Sequence, residues 1–73
     1  MIMIDITVKE VREKFNMTLR ELEEKSGINK NRLNDIETKL EADNIFFAEM
    51  VLIAGALSCR ITDLYNVRTV EIT

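Results

Sequence analysis

The chain has no histidine, no proline and no tryptophan, and among its 73 residues only one cysteine and two glycines. Each shortage closes a route. Without histidine, Cys59 has no imidazole base to make it a nucleophile, and no His/Cys set exists to hold a zinc ion. Cys59 cannot form an internal disulfide, which fits a reducing compartment, and its expected place is as a small buried apolar residue. Two glycines do not make a phosphate-cradling loop. A core of this size cannot enclose a substrate pocket, so an enzyme is excluded and no cofactor, metal or small-molecule ligand is expected. The lack of proline removes the strongest helix breaker and favours an all-helical domain.

Long apolar runs are also missing. The most apolar segment, Ile45 to Leu57, carries Glu49, and a membrane span needs about 20 residues. The opening MIMIDI has neither the basic flank nor the long apolar stretch of a secretory signal. The expected location is cytoplasmic. What is present, 47% hydrophobic and 32% charged residues, describes one folded domain over residues 1–73, with a core at 7–66 and a strand-like extension at 67–73.

Net charge is −3, which argues against nucleic-acid binding, because a phosphate-binding protein usually shows a basic balance. The charge is unevenly spread. Residues 25–39 hold Lys25, Lys30, Arg32 and Lys39 against Asp35 and Glu37, a mildly basic island in an acidic chain.

Side chains mark three helix starts. Thr7-Val8-Lys9-Glu10 and Thr18-Leu19-Arg20-Glu21 read as capping boxes, flanked by the staples Ile6/Val11 and Met17/Leu22. Asn29 reads as an N-cap, with Ile28/Leu33 as its staple. Helix one then spans about Val8 to Phe15, burying Val8, Val11 and Phe15. Helix two spans Leu19 to about Lys25 and breaks at Ser26-Gly27, where glycine suits a left-handed C-terminal position. Helix three spans Lys30 to about Lys39, with Leu33, Ile36 and Leu40 inward.

A fourth helix is expected from Asp43 or Asn44 to near Ser58, and it is apolar almost all the way round. Such a helix must be covered on more than one face. Either the other helices enclose it, or a partner subunit does. The second reading places Ile45, Phe46, Met50, Leu52 and Ile53, with Val70 and Ile72 of the terminal segment, at a dimer interface. RITDLYN fits a short fifth helix with Ile61 and Leu64 inward. The ends, MIMIDI and VRTVEIT, are rich in β-branched residues and read as short strands pairing with each other or across a dimer. Alternatively, the first six residues extend helix one or fray.

Two short helices joined by a glycine turn are the minimum of a helix-turn-helix. Arg12, Thr18, Leu22, Gly27-Ile28-Asn29, Leu33, Ile36-Glu37, Ala54-Gly55-Ala56-Leu57 and Leu64 add a pattern over most of the chain. The segment from Val11 to Leu64 resembles the Cro/repressor-type, or xenobiotic-response-element, helix-turn-helix family. The resemblance implies an all-α, five-helix, lambda-repressor-like domain. It also implies an ion pair between Arg12 and Glu37 tying helix one to helix three; two unrelated surface charges are the other reading. The sequence departs from the family at four points. Glu23 stands where alanine is usual, at the closest approach of helices two and three, and must bend out to water or find a cation. Leu19 replaces the usual polar residue opening helix two, Lys39 replaces the glycine that commonly ends helix three, and no proline precedes helix four.

With Leu33, Ile36 and Leu40 inward, helix three presents Asn31, Asp35 and Thr38, flanked by Asn34, Arg32 and Lys39. The resemblance places Lys30, Asn31, Asn34 and Asp35 at base-contacting positions. Lys30 suits guanine, an asparagine suits adenine, and Asp35 suits cytosine N4. Arg20, Lys25, Arg32 and Lys39, with the amides opening helices two and three, are candidate phosphate contacts. The expected function is a sequence-specific DNA-binding transcriptional regulator, acting as a homodimer on double-stranded DNA with a near-palindromic site. The alternative is a protein-interaction module of the same fold, an anti-repressor or antitoxin-like partner that does not bind DNA.

Overall fold

A computed structural model describes residues 1–38 and 42–71. Lys39, Leu40 and Ile72 lie outside the described residues. The order of elements is strand β1 (Ile2–Ile6), helices α1 (Val8–Lys14), α2 (Leu19–Ser26) and α3 (Lys30–Thr38), a 3₁₀ turn (Ala42–Asn44), helix α4 (Phe47–Leu57), a second 3₁₀ turn (Ile61–Leu64) and strand β2 (Tyr65–Thr69). The protein is a small helical domain with four α-helices and a two-stranded sheet, not the all-α, five-helix arrangement expected.

The missing fifth helix has a physical cause. Ile61–Leu64 makes a single turn, capped by the Asp63 carboxylate accepting from the Arg60 amide at 3.0 Å. The chain must then become extended at Tyr65, because Tyr65 pairs with Ile6 at the end of the antiparallel β1–β2 ladder. The same ladder overturns the capping box at Thr7. Its amide closes onto the Leu64 carbonyl at 2.8 Å and its hydroxyl donates to the Asp63 carbonyl at 3.0 Å. That donation turns the hydroxyl toward the neighbouring turn, Thr7 itself is not in the extended conformation (ψ 23°), and α1 starts without a side-chain cap.

At α2 the box does form. The Thr18 hydroxyl accepts from the Glu21 amide at 3.1 Å, and Glu21 Oε1 accepts from the Thr18 amide at 3.3 Å. Gly27 ends the helix at φ +76°, the left-handed conformation that glycine adopts without a Cβ clash. Asn29 Oδ1 accepts from the Asn31 amide at 2.8 Å and caps α3. The α4 start differs from expectation: Ala42–Asn44 forms its own turn, Phe46 is extended, and Glu49 Oε1 accepts the Phe46 amide at 3.0 Å.

Val8, Leu22, Ile28, Leu33, Ile36, Met50, Ile53, Ala54, Leu57 and Leu64 form one core. Phe15 does not join it. The helix stops at Lys14, and Phe15 is left 50% exposed. On α4, Met50, Ile53, Ala54 and Leu57 recur at helical spacing and face inward, while Phe47, Val51 and Leu52 stay exposed. Met50 and Ile53, read from the sequence as interface residues, are thus core residues of the chain itself. The other helices thus enclose one face of α4, and its opposite face is open in the single chain.

The outline is elongated, 45 × 20 × 18 Å. The ribbon's inner end is held by Ile6 and Tyr65 against the core, and its middle by Arg68 Nε donating to Asp5 Oδ2 at 2.6 Å. Ile2, Ile4 and Val67, on one face, remain exposed. Among the described residues, no helix is long and apolar enough to cross a membrane.

The two faces of α4 should separate cleanly on mutation. Ile53→Ala is expected to cost about 2–5 kcal/mol of unfolding free energy, the range for a fully buried aliphatic truncation. Leu52→Ala, assayed by denaturant titration at low protein concentration, should cost less than about 0.5 kcal/mol. Equal losses would mean that the inward face is misassigned.

Candidate nucleic-acid interface

The glycine turn leaves α3 with two apolar anchors, Leu33 and Ile36, both fully buried. Two residues on a nine-residue helix set its depth but constrain its rotation weakly. Two ion pairs supply that constraint. From α1, Arg12 Nε donates to Glu37 Oε2 at 2.7 Å and Nη2 donates to Oε1 at 3.1 Å, while Nη1 donates to the Met17 carbonyl at 2.7 Å. The Glu37 side chain is only 2% exposed.

On the other flank, Arg32 Nε and Nη2 each donate to the Glu49 carboxylate at 2.7 Å, and Nη2 also donates to the Asn44 carbonyl at 3.1 Å. Its guanidinium carbon lies 5.7 Å from the centre of the Phe46 ring. Arg32 was expected at a phosphate; the structure instead commits it to α4 and the turn before it. The reason is geometric: the Arg32 guanidinium reaches the Asn44 carbonyl and the first turn of α4, where Glu49 already serves the Phe46 amide. The hydrogen bonds from Arg32 hold the Glu49 carboxyl below the usual carboxylate range, with burial opposing and the Phe46 amide assisting.

The outward face of α3 carries Lys30, Asn31 and Asn34, all exposed, with Asp35 half-buried beside them. Asp35 lies close enough to Arg32 to favour its charge. Arg20 and Lys25 are exposed on α2, and Arg20 Nε is 3.7 Å from Glu24 Oε1 one turn on, a loose surface pair. Lys39, the remaining expected phosphate contact, lies outside the described residues.

Glu23 bends back to the backbone across the turn: its Oε2 accepts the amide of Lys30 at 2.6 Å. No spacing rule signals this contact, because the acceptor and the amide sit on different helices. Cys59 is half-buried, and burial pushes its thiol up, away from nucleophilic character. Among the described residues, no group of His, Cys, Asp and Glu could hold a metal ion.

Of the residues expected at a dimer interface, Phe46 and Leu52 are exposed and Ile45 and Val70 are half-buried. The Val70 backbone pairs with Met1. Phe47, 72% exposed, was not among the expected interface residues and stands beside Phe46 at the start of α4. An apolar groove of about 430 Å³ runs between the ribbon and α4, lined in part by Ile4, Val67, Ile45 and Phe47.

This arrangement, a capped helix, a left-handed glycine turn and a second helix braced on both flanks, is that of a helix-turn-helix, and residues 8–64 match the Cro/C1-type helix-turn-helix family. The chain belongs to that family. Its members are DNA-binding regulators and are generally not enzymes. No curated protein and no solved structure matches the chain.

The Arg32–Glu49 brace gives a pH prediction. A carboxyl whose folded value is lowered stabilises the fold above its unfolded value, about 4.3, and loses that contribution as pH falls through the folded value. Unfolding free energy should therefore be level from neutrality to about pH 5 and decline below it. Glu49→Gln should be less stable at pH 7 and lose less between about pH 5 and 3. The same acid loss in both proteins would show that this pair does not set the acid limit.

Proposed function

We propose that the protein is a sequence-specific transcriptional regulator that inserts α3 into the DNA major groove and acts as a homodimer on a near-palindromic site. The observation that carries this is the pair of braces on α3. Arg12–Glu37 and Arg32–Glu49 immobilise a helix whose outer face holds Lys30, Asn31 and Asn34. Asparagine is a mediocre helix former, so propensity gives no reason to put two on one exposed face. A rigid platform with amide side chains suits base-edge readout. In this reading Lys30 donates to guanine, Asn31 or Asn34 pairs with adenine, and Asp35 accepts from cytosine N4. Arg20, Lys25 and Lys39 meet phosphates, and Arg32 does not.

The dimer reading rests on the outer face of α4 and the ribbon. Phe46, Phe47, Val51 and Leu52 are exposed, as are Ile2, Ile4 and Val67, and the groove joins the two sets. A two-stranded ribbon with an open apolar face is marginal alone. In a two-fold dimer the same patch covers itself on the partner, which would set two recognition helices roughly 34 Å apart.

One observation favours the second reading, a protein-interaction module of this fold. Carboxylates cap the amides that open both α2 and α3, through Glu21 and Glu23. Those amides are natural phosphate sites, and here acid fills them.

Selection from a randomised duplex library at several salt concentrations decides between the two. The regulator reading expects an enriched motif and a log affinity that falls with log salt. Lys30→Ala and Asn31→Ala should each relax base preference at one position by about 1–3 kcal/mol, whereas Lys25→Ala should weaken all sequences alike. No enriched motif and no complex at low salt would leave the interaction module. Light scattering at micromolar concentration should give a dimer that Leu52→Asp or Phe47→Asp converts to monomer; a monomeric wild type would overturn the dimer.

A further inference from the structure

The amides that open a recognition helix are strong anion donors, because they lack helical partners and lie at the positive end of the helix dipole. In this chain two of them are already taken. Glu23 Oε2, reaching over the Gly27 turn from α2, accepts the Lys30 amide at 2.6 Å, and Asn29 Oδ1 accepts the Asn31 amide at 2.8 Å. Glu23 is half-buried, and this hydrogen bond holds its carboxylate at the turn. A full negative charge thus occupies the place where a phosphate oxygen would be received. It lies on the first turn of α3, beside the exposed Lys30 and Asn31.

We propose that Glu23 sets the strength of DNA-backbone binding: it takes the place of a DNA phosphate at the start of α3 and repels the DNA backbone there. Sequence-independent attraction is lowered, and stable binding depends correspondingly more on base contacts. The proposal rests on the DNA-binding reading above. It assigns Glu23 two separable roles. Its oxygen caps the helix, which fixes where Lys30 and Asn31 begin. Its charge acts on the approaching polyanion. Glutamine retains an acceptor oxygen of nearly the same shape and drops the charge, whereas alanine drops both.

The test compares the full chain with Glu23→Gln and Glu23→Ala. Each is measured for thermal melting and for affinity toward two duplexes, one selected from the random library and one of scrambled sequence, over a range of salt. Glu23→Gln is expected to melt close to wild type and to bind both duplexes more tightly by the same factor, about tenfold at low salt, the scale of one charge–charge interaction near a protein surface. The gain should shrink as salt screens it, steepening the dependence of log affinity on log salt. Glu23→Ala should show a comparable gain in binding with a lower melting temperature.

Three outcomes overturn the proposal while leaving DNA binding intact. The affinities of wild type and Glu23→Gln could be equal at every salt. Binding could instead fall in step with melting temperature, which is the signature of a cap alone. The gain could also be confined to the selected duplex, which would make Glu23 a base contact. If selection yields no motif and neither protein binds either duplex at low salt, the DNA-binding reading fails and takes the role of Glu23 with it.

Discussion

The pairing of Arg12 with Glu37 is the constraint on which the rest of the domain depends. Glu37 stands at the end of α3 with its carboxylate almost wholly withdrawn from water. A carboxylate so placed needs a partner, and removing one member of such a pair leaves the other buried and uncompensated, at a cost of about 3–5 kcal/mol. Arg12 meets that need with two hydrogen bonds and uses a third on the Met17 carbonyl. One guanidinium thereby fixes α1, the turn leaving it and the far end of α3. Buried pairs of this kind add little net stability compared with apolar packing. What this one supplies is direction: α3 cannot rotate about Leu33 and Ile36 without breaking it.

Arg32 and Glu49 repeat the device on the opposite flank, with a further consequence. Glu49 is also the acceptor for the Phe46 amide, so the residue that orients the recognition helix helps to start α4. Phe46, Phe47, Val51 and Leu52 are carried on or beside that helix. The surface proposed for the partner copy and the surface proposed for DNA are thus tied to one shared residue, Glu49.

Local rules made much of this legible. The Thr18 box, the Gly27 turn, the Asn29 cap and the strand character of both ends follow from residue types a few positions apart, and the structure carries each of them. The failures share a cause as well. Thr7 has the right residue at the right spacing, but its hydroxyl is turned toward a carbonyl 56 residues away. The fifth helix is cut short because Tyr65 is claimed by Ile6. Arg32 looks like a phosphate ligand until Glu49, 17 residues on, takes it. In every case a tertiary partner outcompetes a local preference, and the pairing cannot be seen in the sequence until the fold has set the distances.

The electrostatics lead to the same surface. The chain carries ten basic residues against thirteen acidic ones, and Arg12, Arg32 and Arg68 are committed to pairs inside the molecule. On the described part of the helix-turn-helix, the proposed phosphate contacts Arg20 and Lys25 stand against Glu21, Glu23 and Glu24 on the same helix. Such a surface would grip the DNA backbone weakly. A single copy would gain little from sliding onto arbitrary sequence, whereas two linked copies bind their second half-site at high effective concentration. Weak backbone attraction and dimerisation are in this way complementary. In the proposed dimer the acidic residues would suppress binding to arbitrary DNA, and paired recognition helices would recover affinity only where both find their bases.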